Sequence, residues 1–151
     1  MTNATPPALP PALPPALPRI RESFARQSMM ETVGASLIEA GEGVCVIRAP
    51  ILPGLRQQHG AGHAGLTFTL GDTAAGYAAL SLLPAGNEVM TAEIKINLLS
   101  PALGDMLEAR GEVLKAGRRL VVVRAEVCAI DGDRRKTVAL MQGTMIPVDP
   151  A

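Results

Sequence analysis

The residues best suited to do chemistry lie in one stretch, GAGHAGLTFTLGDTAAGYAALSLL, from Gly60 to Leu83. It holds a histidine, His63, a single acid, Asp72, and a G-x-G-x-x-G spacing that begins at Gly60. That spacing is the dinucleotide-binding fingerprint, which needs its first glycine at the end of a buried strand and the pyrophosphate on the next helix. The context does not supply either. The preceding strand-like run, VCVIRAP, stops at Pro50, and beyond Gly65 there is no second strand–helix unit, only consecutive strand-like segments. What remains is a loop that feeds His63 and Gly65 into the start of an apolar helix carrying one acid. A helix start offers unpaired N–H groups and a positive dipole end, suited to a developing oxyanion. A carboxylate among Leu, Thr, Gly and Ala is costly unless it has a partner or a task. The structural alternatives are that Asp72 bonds a backbone group or a Thr hydroxyl, and that His63 only satisfies the loop.

The surrounding pattern says what must position these residues. The segment RIRESFARQSMMETVG has helical spacing through Ile20, Phe24 and Met29 or Met30 and ends at Gly34, which predicts a short helix. GASLIEAGEGVCVIRAP alternates about Gly41-Glu42-Gly43 as a hairpin does. ILPGLRQQHGAGH reads as a loop. AGLTFTLGDTAAGYAALSLL is then the one long helix, stopped by Pro84 and Gly86 and apolar on nearly every side, as in a helix wrapped by other structure. Its small residues would let a sheet approach closely. Four strand-like segments follow: EVMTAEIKINLLS, GDMLEARGEVLKAG, RLVVVRAEVCAID and RKTVALMQGTMIPV. The turns PAL, AGR and DGD join them. Helices and strands segregated in this way argue an α+β fold.

Bulk composition narrows the function. A chain of 151 residues suits one domain. Hydrophobic residues are 48% but aromatics only 2%, so the core must be aliphatic. Fourteen Lys and Arg balance fourteen Asp and Glu; with no basic field and few stacking rings, a nucleic-acid partner is not expected. No apolar run approaches a membrane span, and no metal-ligand cluster is visible. Cys45 and Cys128 sit among Val and Ile, as buried thiols of a reducing compartment do, so a cytoplasmic location is expected. Residues 1–18 form a proline-rich tail, expected to be disordered and to precede the folded domain at 19–151.

At this point the residues resemble a family. HAGLTFTLGDTAAGYAA, preceded by RQQHGAG and followed by TAEIKINLLSPALGD, is similar to the PaaI-type (phenylacetyl-CoA) hotdog-fold acyl-CoA thioesterases. The resemblance covers roughly residues 20 to 148. It implies a hotdog fold, in which an antiparallel sheet wraps a long central helix, and hydrolysis of an acyl- or aryl-CoA to free acid and coenzyme A. No cofactor is implied, since coenzyme A is part of the substrate. By the same resemblance Asp72 acts as nucleophile or general base, the amide of Ala64 polarises the thioester carbonyl, and His63 orients the loop or that carbonyl. Gln57 falls where the family usually has Asn, and Thr91 where it often has a hydroxyl. Ala64 stands in place of the family's usual glycine, next to Gly65. Arg118 and Arg119 in the turn AGRRL, with Arg56 beside the loop, are the candidates for the phosphates of coenzyme A. Arg134, Arg135 and Lys136 form a second cluster, taken as solvated.

Spacing adds a prediction about assembly. Nine residues separate His63 from Asp72, which is about 13 Å of helix and half a turn out of phase. One protomer cannot easily bring both to one thioester, whereas two antiparallel helices across a dyad can. A homodimer at least is therefore expected, and a tetramer is carried over from the family. Two other functions compete: a non-catalytic acyl-CoA-binding module, and a hotdog dehydratase or hydratase, whose histidine–acid patterns do not stand out here.

Overall fold

The computed structural model describes residues 18–149; the tail expectation, save for Pro18, lies outside them. Ten elements follow in order: α1 (Pro18–Ala25), α2 (Ser28–Thr32), β1 (Ser36–Gly41), β2 (Val44–Pro50), a 3-10 turn (Pro53–Leu55), α3 (Ala64–Leu80), β3 (Glu88–Leu98), β4 (Met106–Ala116), β5 (Val121–Asp131) and β6 (Arg134–Val148). The strands form one antiparallel sheet in the order β1-β2-β4-β5-β6-β3. This sheet curls around α3, which packs on β4, β2, β5 and β3. It is the hotdog arrangement implied above.

The single N-terminal helix is corrected to two. The chain breaks at Gln27, whose backbone is extended (φ −79°, ψ 99°). On one straight helix Ile20 and Val33 would lie about 140° apart at 3.6 residues per turn; the break lets both reach the core. The hairpin forms where its spacing places it. Glu42 and Gly43 both have positive φ (50° and 80°), the geometry of a tight turn whose twist suits antiparallel strands.

Small residues set how closely α3 meets the sheet. Ala74, Ala75 and Ala78 are fully buried. Opposite them on β4, a Cβ at Gly111 would overlap the Ala74 carbonyl and the Ala75 amide, so only glycine fits there. Arg19 of α1 donates to the carbonyls of Leu80 (2.7 Å), Leu83 (2.6 Å) and Pro84 (3.0 Å), placing a cation at the negative end of α3. The core is aliphatic, with Tyr77 its one buried ring among the described residues. Cys45 and Cys128 are free and buried, and burial pushes the Cys45 thiol up to about 12.

Two expectations need correction. Within one chain α3 is not wrapped on every side: Gly65, Phe68 (37% exposed), Asp72 and Gly76 form a stripe that faces outward. Six strands cover only part of the helix circumference. Nor is the second basic cluster simply solvated. Arg135 lies on β6 and pairs with Glu108 of β4 at 2.5 Å, as does Arg48 of β2. Burial pushes the Glu108 carboxyl up, but the two guanidinium groups outweigh it and hold it below the usual carboxylate range. Arg134 pairs locally with Asp131.

Candidate active site

Three elements meet at the start of α3. The loop from the 3-10 turn is stitched by bonds from the Gln57 amide to the Ala61 carbonyl (2.8 Å) and from the His63 amide to the Leu55 carbonyl (2.9 Å). A short bridge from the Gly62 amide to the Ala102 carbonyl (2.9 Å) ties it to the segment after β3. Arg56 donates to the carbonyls of Gly60 and Ile51, so this candidate phosphate contact also braces the loop. The Gln57 side-chain oxygen accepts from the His59 amide. Among the described residues its NH2 group finds no acceptor, and Gln57 lines a cleft together with Ala64.

His63 is the N-cap of α3. Its Nδ1 accepts from the Gly65 amide at 2.8 Å, which leaves the ring proton on Nε2. A Cβ at Gly65 would sit 2.9 Å from that ring nitrogen, so glycine permits the cap. Of the first two helix amides, Gly65's is thus taken. Ala64's finds no acceptor among the described residues. Ala64 is also absent from the residues with positive φ, so its amide keeps the ordinary helical direction.

Asp72 lies further along the same helix, half-buried on the outward stripe. Its Oδ1 accepts from the Thr91 hydroxyl at 2.8 Å. Thr91 reaches it because the pairing of β3 with β6 slips between Thr91 and Glu93; such bulges commonly re-aim a side chain beside a site. No cation pairs with Asp72 among the described residues. Next to it opens a pocket of about 230 Å³, whose walls include Ser23, Gln27 and Tyr77.

The sequence-derived residues therefore fall into three groups. Gln57, His63, Ala64, Gly65 and Arg56 gather at the N-terminal end of α3. Asp72 and Thr91 meet about two and a half turns on. Arg118 and Arg119 occupy the β4–β5 turn, at the end of the sheet where Gly43 of the first hairpin touches Leu82 beyond α3. Sequence reasoning passed over Ser23, Gln27 and Tyr77. Nothing in their spacing marks them, since α1, α2 and α3 bring them together only in the fold.

Comparison with known proteins agrees with this geometry. A profile of the Thioesterase superfamily matches residues 59–136, from the loop before α3 into β6. The acyl-coenzyme A thioesterase PaaI of Escherichia coli K12 is 28% identical over 121 residues, covering 80% of this chain and 82% of that protein. The crystal structure of a thioesterase family protein from Silicibacter pomeroyi has a TM-score of 0.85 at 39% identity, covering 87% of this chain and 97% of that one. A Bacillus halodurans protein solved with CoA has a TM-score of 0.72 at 26% identity, covering 85% and 80%. The chain belongs to the Thioesterase superfamily, as a PaaI-like hotdog-fold thioesterase.

Proposed function

We propose that the chain hydrolyses the thioester of an acyl- or aryl-CoA to free acid and coenzyme A, through Asp72, at a site formed between two protomers. One observation carries the reading: among the described residues, a carboxylate with no cationic partner and an amide with no acceptor lie on the same helix, too far apart to share a thioester within a single chain. The PaaI relative's name and the CoA-bound neighbour support coenzyme A as the carrier.

The unpaired edge of the sheet supports this reading. Among the described residues β3 has β6 on one side and no strand on the other, and it exposes Met90 (59%) and Leu98 (55%). A long unpaired edge of this kind invites another strand. Antiparallel pairing of two β3 strands about a dyad lays the two α3 helices side by side. Asp72 of one protomer then faces Ala64 of the other, and Arg118 and Arg119 approach the partner's loop end. Pairs of such dimers would give the tetramer.

In that site the Thr91 hydroxyl holds Oδ1 and leaves Oδ2 to act. As general base, Oδ2 takes a proton from water while the water oxygen bonds to the thioester carbon. The carbonyl oxygen becomes an oxyanion, stabilised by the Ala64 amide and the Gln57 NH2 group. Collapse breaks the carbon–sulfur bond, and the thiolate recovers the proton from Asp72. As nucleophile, Asp72 would instead form a mixed anhydride that water then cleaves. Single turnover in oxygen-18 water separates the two: label in Asp72 after turnover requires the anhydride. The reaction needs water alone as co-reactant, and two free buried thiols suit a cytoplasmic setting. Thiol release from a panel of acyl-CoAs tests the reading; wild type turning over none of them would end it.

A further inference from the structure

Among the described residues two polar or charged side chains are buried, Glu108 and Thr67. Two cations hold Glu108. Thr67, 1% exposed, has no partner for its hydroxyl among the described residues. A threonine on a helix commonly turns its hydroxyl onto the carbonyl four residues back. Here that carbonyl, of His63, accepts from the amides of Leu66 (2.9 Å) and Thr67 (3.3 Å) instead. No side-chain nitrogen or oxygen among the described residues is both sealed off and unpartnered, so the Thr67 hydroxyl must open on the cleft that the residue lines. That cleft, of about 390 Å³, is the one lined by Gln57 and Ala64. Three positions after Ala64, Thr67 lies about 60° round the helix and about 4.5 Å further along. Side chains on a helix lean towards its N-terminus, which carries this hydroxyl back over the turn that presents the Ala64 amide. The cleft thus gathers three donors without an acceptor among the described residues: the Gln57 NH2 group, the Ala64 amide and the Thr67 hydroxyl. The rest of its lining, Ala61, Gly62 and residues 98–102, adds one polar side chain, that of Ser100. A hydrogen bond made in such surroundings is stronger than one in water.

We infer that Thr67 is a further catalytic residue, a third donor to the thioester oxygen beside Ala64 and Gln57. The inference rests on the proposed thioesterase reading. As water adds to the thioester carbon, the carbonyl pair moves onto oxygen, and the Thr67 hydroxyl donates a hydrogen bond to that charge while keeping its proton. The bond weakens again when the carbon–sulfur bond breaks and the carbonyl re-forms. A donor fixed in place before the reaction needs no reorganisation at that moment. The placement also explains a threonine where valine has the same shape. A buried hydroxyl without a partner destabilises the free protein, and this one gains its partner only in the occupied site.

The test compares wild type with Thr67→Val, which keeps the shape and removes the hydroxyl, and Thr67→Ser, which keeps the hydroxyl. Values of kcat and KM are measured on whichever acyl-CoA of the panel wild type cleaves fastest. Thr67→Val should lower kcat about tenfold to a hundredfold, less than the loss of a principal oxyanion donor because two others remain. KM should stay unchanged, as for a bond made in the transition state alone. Thr67→Ser should recover most of the loss. Thr67→Val should also melt no lower than wild type, since the free protein loses an unpartnered hydroxyl. If Thr67→Val does not fold, Thr67→Ala removes the same hydroxyl and should show the same loss in kcat. Infrared spectra of a bound ketone analogue of that acyl-CoA, with a CH2 group in place of the thioester sulfur, read the contact directly. Wild type should move the carbonyl stretch to lower frequency, and Thr67→Val should move it less. A Thr67→Val enzyme as fast as wild type overturns the inference and leaves the thioesterase reading standing. So does an equal loss in Thr67→Val and Thr67→Ser, a loss carried by KM alone, or a ketone stretch that Thr67→Val leaves where wild type puts it. Thiol release from no acyl-CoA by wild type ends both.

Discussion

Two carboxylates on neighbouring elements show how differently the same chemical group can be surrounded. Glu108, on β4, is 9% exposed at its side chain and held by Arg48 and Arg135 at 2.5 Å each. Asp72, on α3, is half-buried and, among the described residues, has one neutral hydroxyl, that of Thr91, for company. Every lone pair that matters on Glu108 is engaged by a cation, so it can join sheet strands but not take up a proton at neutral pH. Among the described residues Asp72 keeps an oxygen unengaged, on the stripe of α3 that faces outward. The first acid is held in the sheet by its cations; the second is the one to which the proposed reading gives the reaction.

Substitutions can break or sharpen this contrast. Asp72→Asn is nearly isosteric and should lower kcat/KM on the order of a hundredfold or more, with thermal stability unchanged; unaltered turnover would make Asp72 a structural residue like Glu108. Glu108→Gln should do the reverse, costing about 2 kcal/mol at neutral pH because two half-exposed guanidinium groups lose their counter-charge, with kcat/KM unaffected. The pH dependence follows from the sign of the shift. Because the folded protein holds the Glu108 carboxyl low, its stabilisation is present above the ordinary carboxylate range and lost as pH falls through that lowered value. Chemical denaturation from pH 7 down to pH 3 should therefore show the wild type and Glu108→Gln converging in acid. Thr91→Val removes the one hydroxyl on Asp72 and should lower kcat about tenfold, the scale of a single hydrogen bond. His63→Ala deletes the helix cap and should cost about 1 kcal/mol in stability; an activity loss far beyond that would give Nε2 a direct part in the reaction.

Much of the fold could be read in advance because its signals are local. Alternation marks the strands, Gly41-Glu42-Gly43 marks the hairpin, and the Ala-rich run of α3 announces close packing. The break at Gln27 could not be read, since its cause is the need to bury Ile20 and Val33 together, a tertiary demand. The open stripe on α3 was hidden for a related reason: hydrophobicity shows that a helix will be covered, not by which chain. At the site, the pairing of Asp72 with a threonine hydroxyl was among the structural alternatives, and Thr91 itself came from family resemblance. The bulge that aims it leaves no mark in the order of residues. Arg135 was misjudged because its turn-like neighbourhood, DGDRRK, hides that strand pairing carries it over Glu108.

The central claim is that one protomer's Asp72 works with the other's Ala64 amide, and complementation tests it most directly. Proline is tolerated at the first helical position and lacks the N–H, and His63 already has the extended backbone that a following proline requires (φ −62°, ψ 142°). Ala64→Pro should therefore remove the amide and leave the helix intact. Asp72→Asn and Ala64→Pro are each expected to be nearly inactive alone. Unfolded and refolded together in equal amounts, they should recover about a quarter of wild-type activity, because half of randomly paired dimers are mixed and each mixed dimer holds one intact site of two. A mixture no more active than its inactive parts, with mixed dimers shown to form, would place the whole site within one protomer and contradict the account.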